Sequence, residues 1–561
     1  MADLITRVYS NFRGCDFRGN EVNLVRSPDC LNVWKDYKEI DSIRTRPELE
    51  LKEAFNNTVW GVFFYVVGNT EMMLVHCGTK LYKIVDGVRS VLYEGLNPNK
   101  SQSFIYNNIW YFKDGINYLE YDGETIGEVV GYVPTTNIGL RPAGGGSTLE
   151  DINVLSSERI NTFLADGIST EYHLSAREID ETRKVEVSVN GDVMDSTEYT
   201  VDTVNGVITF NEAPQMPLTD GQDNVSVRFS KTVAGHRERI NQCTMLQVFD
   251  NRVFFSGNPN YPNAVFHSNL DNPRYCSDLD NYPEGLDLAK VKGMIAGNNA
   301  LWVFKEPSQA NTTVFYHNPT LDAEYGKIYP SVHSSIATGC VGKAINFNDD
   351  IAFFSDRGME AINGDVTTEQ VIAHRSSLAD RKMVVEKDYK EMVLEEYEGY
   401  LFVFIGNKVY LADSRAMFQN ENHYEYEWFY WELDEEITSA IVYKGVMYLG
   451  SQTGVYTLTD HEADVESYWT TPIDKFNYPQ YLKTTNKRGC VVEAMGDITV
   501  SARTNNGEWE EIGTFEDIQD YFVVKKKLKK FKDIQLKFSS NTRFSLEQAT
   551  LMCFIGGYIK R

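Results

Sequence analysis

One short pattern, a two-residue polar turn followed by a strand dense in aromatic side chains, recurs through most of this 561-residue chain. It is seen as NTEMMLVH from Asn69, NNIWYFKDG from Asn107, DNRVFFSG from Asp250, NNALWVFK from Asn298, DDIAFFSDRG from Asp349, EGYLFVFIGN from Glu398 and KGVMYLGSQTG from Lys444. Such a turn ahead of an apolar run signals a β-hairpin, because the tight turn needs backbone angles that Asn, Asp and Gly tolerate. The last five copies start at intervals of 48, 51, 49 and 46 residues, the length of one four-stranded unit. Their strands are almost continuously apolar, as sheets covered on both faces require. The spacing predicts an all-β chain built on a β-propeller, with seven blades by the count of copies or six because the first two stand only 38 residues apart.

Composition fits that reading. Aromatics make up 13% of the chain, with 33 Tyr and 30 Phe, and flat rigid rings suit a pleated surface. No apolar run of membrane-spanning length occurs and the start, MADLITRVYSNFRG, carries no apolar segment behind a basic leader, so neither a membrane span nor a secretory signal is expected. The eight cysteines are scattered without a CxxC pair, which reads as reduced, buried thiols of a protein made in a cytoplasm. The formal net charge of −26, from 80 acidic and 54 basic residues, argues against a surface that coats DNA by neutralising phosphates.

The interruptions of the repeat divide the chain. Residues 1–50 read as an extended N-terminal arm, broken by Pro28 and Pro47, whose Leu31, Val33 and Trp34 are placed to cover a sheet edge. Its arginines, Arg13, Arg18, Arg26, Arg44 and Arg46, are expected to meet acidic neighbours or a partner subunit. Residues 51–154 form the first part of the propeller. Residues 155–235 read as an inserted Ig-like β-sandwich, with hairpin turns at Asn190-Gly191 and Asn205-Gly206 and a flexible lead-in at Gly144, Gly145 and Gly146. The propeller resumes over 236–462, and 463–561 alternates apolar and polar residues around an Asn506-Gly507 turn, as in a second, C-terminal β-sandwich-like domain.

No catalytic motif emerges: there is no GxSxG, HExxH, P-loop or GxGxxG between strand and helix, the histidines are dispersed, and the tryptophans Trp60, Trp110 and Trp302 fall inside core strands. The chain is read as a non-enzyme without catalytic, metal or cofactor residues. The loop with Asp271, Asp278, Asp280, Glu284 and Asp287 offers hard oxygen ligands of the kind Ca²⁺ takes, but lacks the spacing of an EF-hand; an acidic surface loop is the plainer reading. One strongly basic run stands out, Lys525, Lys526, Lys527, Lys529, Lys530 and Lys532. It is read either as a contact for a neighbouring subunit or as the solvated, self-protecting stretch of an edge strand, with DNA contact a weaker third reading. These lysines, with Arg13, Arg18 and Arg26, are the candidate subunit-interface residues.

Two segments carry a resemblance. NRVFFSGNPNYPNAVFHSNLDNPRYCSDLDNYPEG, from Asn251 to Gly285, and the arm FRGCDFRGNEVNLVRSPDCLNVWKD, from Phe12 to Asp36, with its sequel IRTRPELE, resemble stretches of tailed-phage virion proteins of the packaged-DNA stabilisation, tail-hub or tail-nozzle type. The module with VSVNGDVMD and YTVDTVNGVITF is similar to one frequent in phage structural proteins. The resemblance implies a structural subunit of the virion tail, made in the bacterial host cytoplasm. It implies a homo-oligomeric ring, typically a hexamer, below the portal and adaptor, which contacts other tail proteins and lets DNA pass without binding it specifically. Six copies at −26 would carry about −156, and carboxylates on a channel wall repel DNA. The departures are Cys276 after Tyr275, where an aromatic is expected, and a C-terminal segment without a clear counterpart. The alternative function is a receptor- or glycan-binding tail protein that uses its accessory β modules.

Overall fold

The computed structural model describes residues 4–36, 42–310, 312–323, 326–364, 366–420 and 423–558. Residues 37–41 of the arm lie outside that set. The chain is all-β: the α-helices among the described residues are His236–Asn241 and Asp380–Met383, of six and four residues. It divides into two compact units, one of residues 1–94, 297–316 and 333–561, the other of 95–296 and 317–332.

Six of the seven recurring turns are what the sequence implied; at the first, Gly68-Asn69, only Gly68 has positive φ. Both central residues have positive φ at Asn107-Asn108, Asp250-Asn251, Asn298-Asn299, Asn348-Asp349, Glu398-Gly399 and Lys444-Gly445, the conformation that matches a two-residue turn to the twist of its strands. Asn348 rather than Asp349 opens the fourth of these. After each turn runs a strand that is buried throughout or nearly so: all six residues of Asp350–Ser355 and of Tyr400–Ile405 are buried.

In the first unit the sheets are antiparallel meanders of four strands, laid down in chain order. They cover Val59–Glu94, Ala344–His374 and Val393–Glu432. A fourth joins Ser439–Tyr443, Val446–Gly450 and Gly454–Glu462 to Pro47–Ala54, so that a strand from near the start of the chain completes a sheet near its end. The second unit has two more, over Gln102–Glu128 and Met245–Pro283. The segment 291–333, in which the chain passes from one unit to the other, carries the strands Val291–Gly297, Ala300–Lys305, Val314–His317 and Ser331–His333. Among the described residues the six four-stranded sets within the units have the strand number and order of propeller blades, and those four strands of 291–333 match them in number.

The inserted module packs a six-stranded sheet on a three-stranded one around Phe163, Tyr172, Val187, Ile208, Val227 and Phe229. It differs from an all-antiparallel sandwich: Thr135–Leu140 pairs in parallel with Glu158–Phe163. That strand lies N-terminal to residue 155, in the stretch that the repeat spacing assigns to the propeller. The parallel pairing has no local signal; the turn from Arg141 to Gly144 behind this strand returns the chain to Ser147–Thr148, which lies antiparallel to it.

The C-terminal sheet is not made by residues 463–561 alone. Four arm strands join it: Leu4–Ser10 and Ile43–Thr45 pair with Phe544–Tyr558, Cys30–Leu31 pairs with Ser467–Thr470, and Val33–Trp34 pairs with Ile43–Thr45. Two more arm strands, Gly14–Cys15 and Arg26–Ser27, extend the sheet of His423–Glu432. Only glycine fits at 14, where φ is +140° and a Cβ would stand 2.2 Å from the Trp428 carbonyl oxygen. At the centre of the C-terminal sheet is the 24-residue strand Tyr481–Thr504. Its first part lies between Phe544–Tyr558 and Tyr521–Val524, and its last part pairs with Glu510–Ile518 and Ile534–Ser540. The change of partner falls at Gly496 (φ +92°), as expected where a strand bends from one layer into another. One continuous core in this unit runs from Tyr9, Cys30 and Trp34 through Phe402 and Trp431 to Trp469, Val492 and Leu546. Trp34 fixes the arm by packing edge-on to Trp431 at 5.3 Å and against Tyr400 at 5.4 Å, contacts of about 0.5–1.5 kcal/mol each beyond the area they bury.

Candidate functional site: ionisable clusters and charged surfaces

The arm arginines are used within the chain. Arg26 donates from Nε and Nη2 to the two carboxylate oxygens of Glu427 at 2.8 and 2.7 Å, and its guanidinium lies 4.2 Å from the Phe418 ring centroid. Arg13 stands 4.0 Å from the same carboxylate, and Arg18 forks onto Asp16 with two bonds of 2.8 Å. Arg44 pairs with Asp36 and Glu462, and Arg46 is buried, bonding to Asn32 Oδ1 and the Pro47 carbonyl. Arg7, which the sequence did not single out, forks onto Asp474, to which Tyr9 also donates at 3.0 Å. Arg13 and Arg18 keep substantial exposure; Arg26 does not.

The carboxylates of the acidic loop do not converge. Glu284 is fully buried, bonded through Oε1 to His317 Nε2 at 2.8 Å and through Oε2 to Ser331 Oγ at 2.5 Å. The Tyr329 carbonyl, 2.9 Å from His317 Nδ1, can only accept, so Nδ1 carries a proton. Burial lifts the Asp280 carboxyl to about 6, and burial lowers the nearby His267 imidazole to about 4; their closest approach is 3.7 Å. Among the described residues no three His, Cys, Asp or Glu side chains come together in a way that would hold a metal ion.

A second ionisable cluster, equally invisible in the sequence, lies on the sheet Ala344–His374. His374 donates from Nε2 to Asp380 at 2.5 Å and from Nδ1 to Glu360 at 3.2 Å; Ser376 Oγ bonds the other Asp380 oxygen, and Arg357 reaches Glu360 at 3.0 Å. Burial works against the charged ring, and the two carboxylates overcome it, holding the imidazolium up to about 10. Gly358 is required here, since a Cβ would fall 2.1 Å from Asp380 Oδ1. Next to it, Asp350, the first strand residue after a repeat turn, accepts two bonds from Arg375, at 2.7 and 3.2 Å, and one from Tyr426 at 2.9 Å. In the other unit, Asp250 accepts from Tyr329 at 2.6 Å and Lys327 at 2.7 Å. Acids of the turn signature thus clasp neighbouring strands. These groups bind one another.

The lysine run is exposed. Residues 525–528 connect Tyr521–Val524 to Lys529–Phe531, and Lys525, Lys526, Lys527, Lys529, Lys530 and Lys532 all face solvent. Lys526 pairs with Glu510 at 2.7 Å. Both ends of the run are anchored on the long strand, Val524 opposite Cys490 and Leu528 bonded to Thr485. The four residues between those anchors on the long strand are Asn486, Lys487, Arg488 and Gly489, with Lys487 and Arg488 exposed. Gly489 lets the bulge close, since a Cβ would meet the Met552 carbonyl oxygen at 2.8 Å. Lys487 and Arg488 were not read as part of this surface from the sequence. The one available signal was a charged pair before a glycine that interrupts an alternating strand.

No protein-family model matches the chain, and no curated protein matches it in sequence. Solved structures similar to it include BamB from Moraxella catarrhalis, 11% identical over 74% of this chain and 98% of that one, with a TM-score of 0.33. Another is an ancestral GH74 enzyme, 11% identical over 91% and 85%, at 0.26. A third is PorZ of the type-IX secretion system of Porphyromonas gingivalis, 10% identical over 83% and 70%, at 0.19. At such scores and identities none of them places the chain in a family.

Proposed function

We propose that this chain is a structural subunit of a tailed-phage virion whose six four-stranded sheets, with four strands of 291–333 as a seventh, are the blades of one propeller. Copies of it join in a ring that forms part of the tail channel and helps to retain packaged DNA. The observation that carries the reading is how the ionisable groups are used. The buried ones, Glu427, Asp350 and Glu284, and the half-buried His374 are bound to partners in the same chain. Exposed charge remains along β edges, above all at the lysines from 525 to 532. Such a molecule is built to hold shape and to touch neighbours. The strand Pro47–Ala54, which completes the sheet of Gly454–Glu462, ties the two ends of the repeat together and leaves fewer open edges, as a load-resisting disc needs. Electron microscopy of the protein within phage tails tests the reading: a continuous ring supports it, and a component found only as separate peripheral copies counts against it.

The second reading, a receptor- or glycan-binding tail protein, rests on the inserted module. Its loops expose Ile168, Met216 and Leu218, at 84, 65 and 101%, beside a cavity of about 450 Å³ lined by Asn190, Gly191, Asp223 and Asn224. Adsorption competition with the purified protein separates the two: inhibition favours the receptor reading.

A further inference from the structure

The first unit carries two exposed charged surfaces of opposite sign. The basic one is assembled by register: Lys487 and Arg488 on the bulged long strand stand opposite Lys525, Lys526 and Lys527, with Lys529, Lys530 and Lys532 continuing it. Of these eight cations, Lys526 alone forms an ion pair within 4 Å among the described residues. Without them the chain would carry −34 instead of −26.

The acidic surface gathers around the arm. Asn32 and Arg46 bind three segments at one node: Glu432 N donates to Asn32 Oδ1 at 2.8 Å, Asn32 Nδ2 donates to the Glu466 carbonyl at 2.9 Å, and Ala463 N donates to the Arg46 carbonyl at 2.9 Å. Around this node Glu48, Glu432, Asp434, Glu436, Asp464 and Glu466 are exposed. None of the six forms an ion pair within 4 Å among the described residues.

We infer that the basic surface of one copy docks on the Glu432–Glu436 carboxylate surface of a second copy of this chain. The inference rests on the ring reading and names the contact that builds the ring. Two different patches of opposite sign make a heterologous contact, the kind that generates a closed ring when its rotation closes. Charge complementarity favours a second copy because the chain presents both halves of the match, and like surfaces repel, which excludes face-to-face pairing through either patch. A nucleic acid would find the cations but also a chain of strongly negative overall charge.

The test uses the full-length protein in sedimentation velocity at about 0.05 and about 0.5 M salt, where screening lengths differ several-fold. The expected result is self-association that weakens with salt. Lys487→Glu, Lys525→Glu, Lys527→Glu, Lys529→Glu and Lys532→Glu together, which turn the eight-cation patch net negative, should weaken it roughly tenfold or more. So should Glu432→Lys, Asp434→Lys, Glu436→Lys and Glu466→Lys together, which turn the six-carboxylate patch net positive. Combining both sets in one chain should restore it, a rescue that misfolding cannot mimic. Thermal melting of each variant should match the parent, since exposed substitutions of this kind usually move stability by no more than about 0.5 kcal/mol. A parent that stays monomeric at low salt, reversals without effect, or a swap without rescue overturns the inference. So does a short DNA duplex whose binding is lost on lysine reversal while self-association is unchanged. Rings in tails that are indifferent to the reversals would sink this contact and leave the ring reading standing. Charge-swappable association without any ring in the tail would do the reverse.

Discussion

The fork of Arg26 on Glu427 joins the arm to the sheet His423–Glu432 across 401 residues of sequence. Its side chains are 10% and 0% exposed. Arg26→Met removes both bonds and leaves a buried carboxylate whose nearest remaining ion-pair partner among the described residues is Arg13 at 4.0 Å. Breaking one side of such a pair costs about 3–5 kcal/mol, mostly from the stranded charge. Burial, the largest influence on Glu427, raises its pKa above the ordinary carboxylate range even with Arg26 and Arg13 lowering it. In the native chain the attraction therefore does not fully offset desolvation, and the double variant Arg26→Met, Glu427→Leu should recover most of the loss or exceed the parent. The sign with pH follows. A carboxyl whose folded pKa is raised binds its proton more readily in the folded state, so its unfavourable contribution develops as pH rises through the window above the unfolded value. The deficit of Arg26→Met should then be largest near neutral pH and shrink toward about pH 5. Calorimetric melting of the three proteins at both pH values measures this, with a shift of several degrees expected for the single variant. A single variant within about 1 kcal/mol of the parent, or a double variant no better than the single one, refutes the reasoning.

His374 should give the opposite pH signature. Its folded pKa is raised to about 10, so its contribution is fully present below about 6.5 and is lost as pH rises through about 10; His374→Gln should flatten that alkaline slope in pH-dependent melting, and an unchanged slope would remove the assignment. Gly14→Ala forces a Cβ against the Trp428 carbonyl and should cost at least about 1–3 kcal/mol, with faster proteolysis of the arm as a second readout. Glu284→Ala leaves His317 and Ser331 without their buried acceptor and should lower the melting midpoint by the equivalent of about 3 kcal/mol or more.

What was legible in the sequence is what local chemistry dictates. Asn107-Asn108 and Asp250-Asn251 can sit at positive φ, and the strand after each turn is apolar on both faces, so the hairpins, their number and their all-β setting could be read directly. The solvent exposure of Lys525 to Lys532 was legible for the same reason. What escaped depends on contacts distant in sequence. Nothing local shows that Leu4–Ser10 pairs with the last strand, that Arg26 meets Glu427, or that Glu284 and His317 lie 2.8 Å apart. Lys487 and Arg488 joined the basic surface only through the register between Cys490 and Val524.

The central claim is that copies of this chain form a ring around the DNA path. Electron cryomicroscopy of tails, with the protein located by its density, tests it most directly. The account predicts a closed ring of identical subunits, each a seven-bladed disc, with lysines 525–532 of one copy against the Glu432–Glu436 surface of the next. Isolated copies on the outside of the tail, or sheets of one chain that fail to close into a disc, would contradict it.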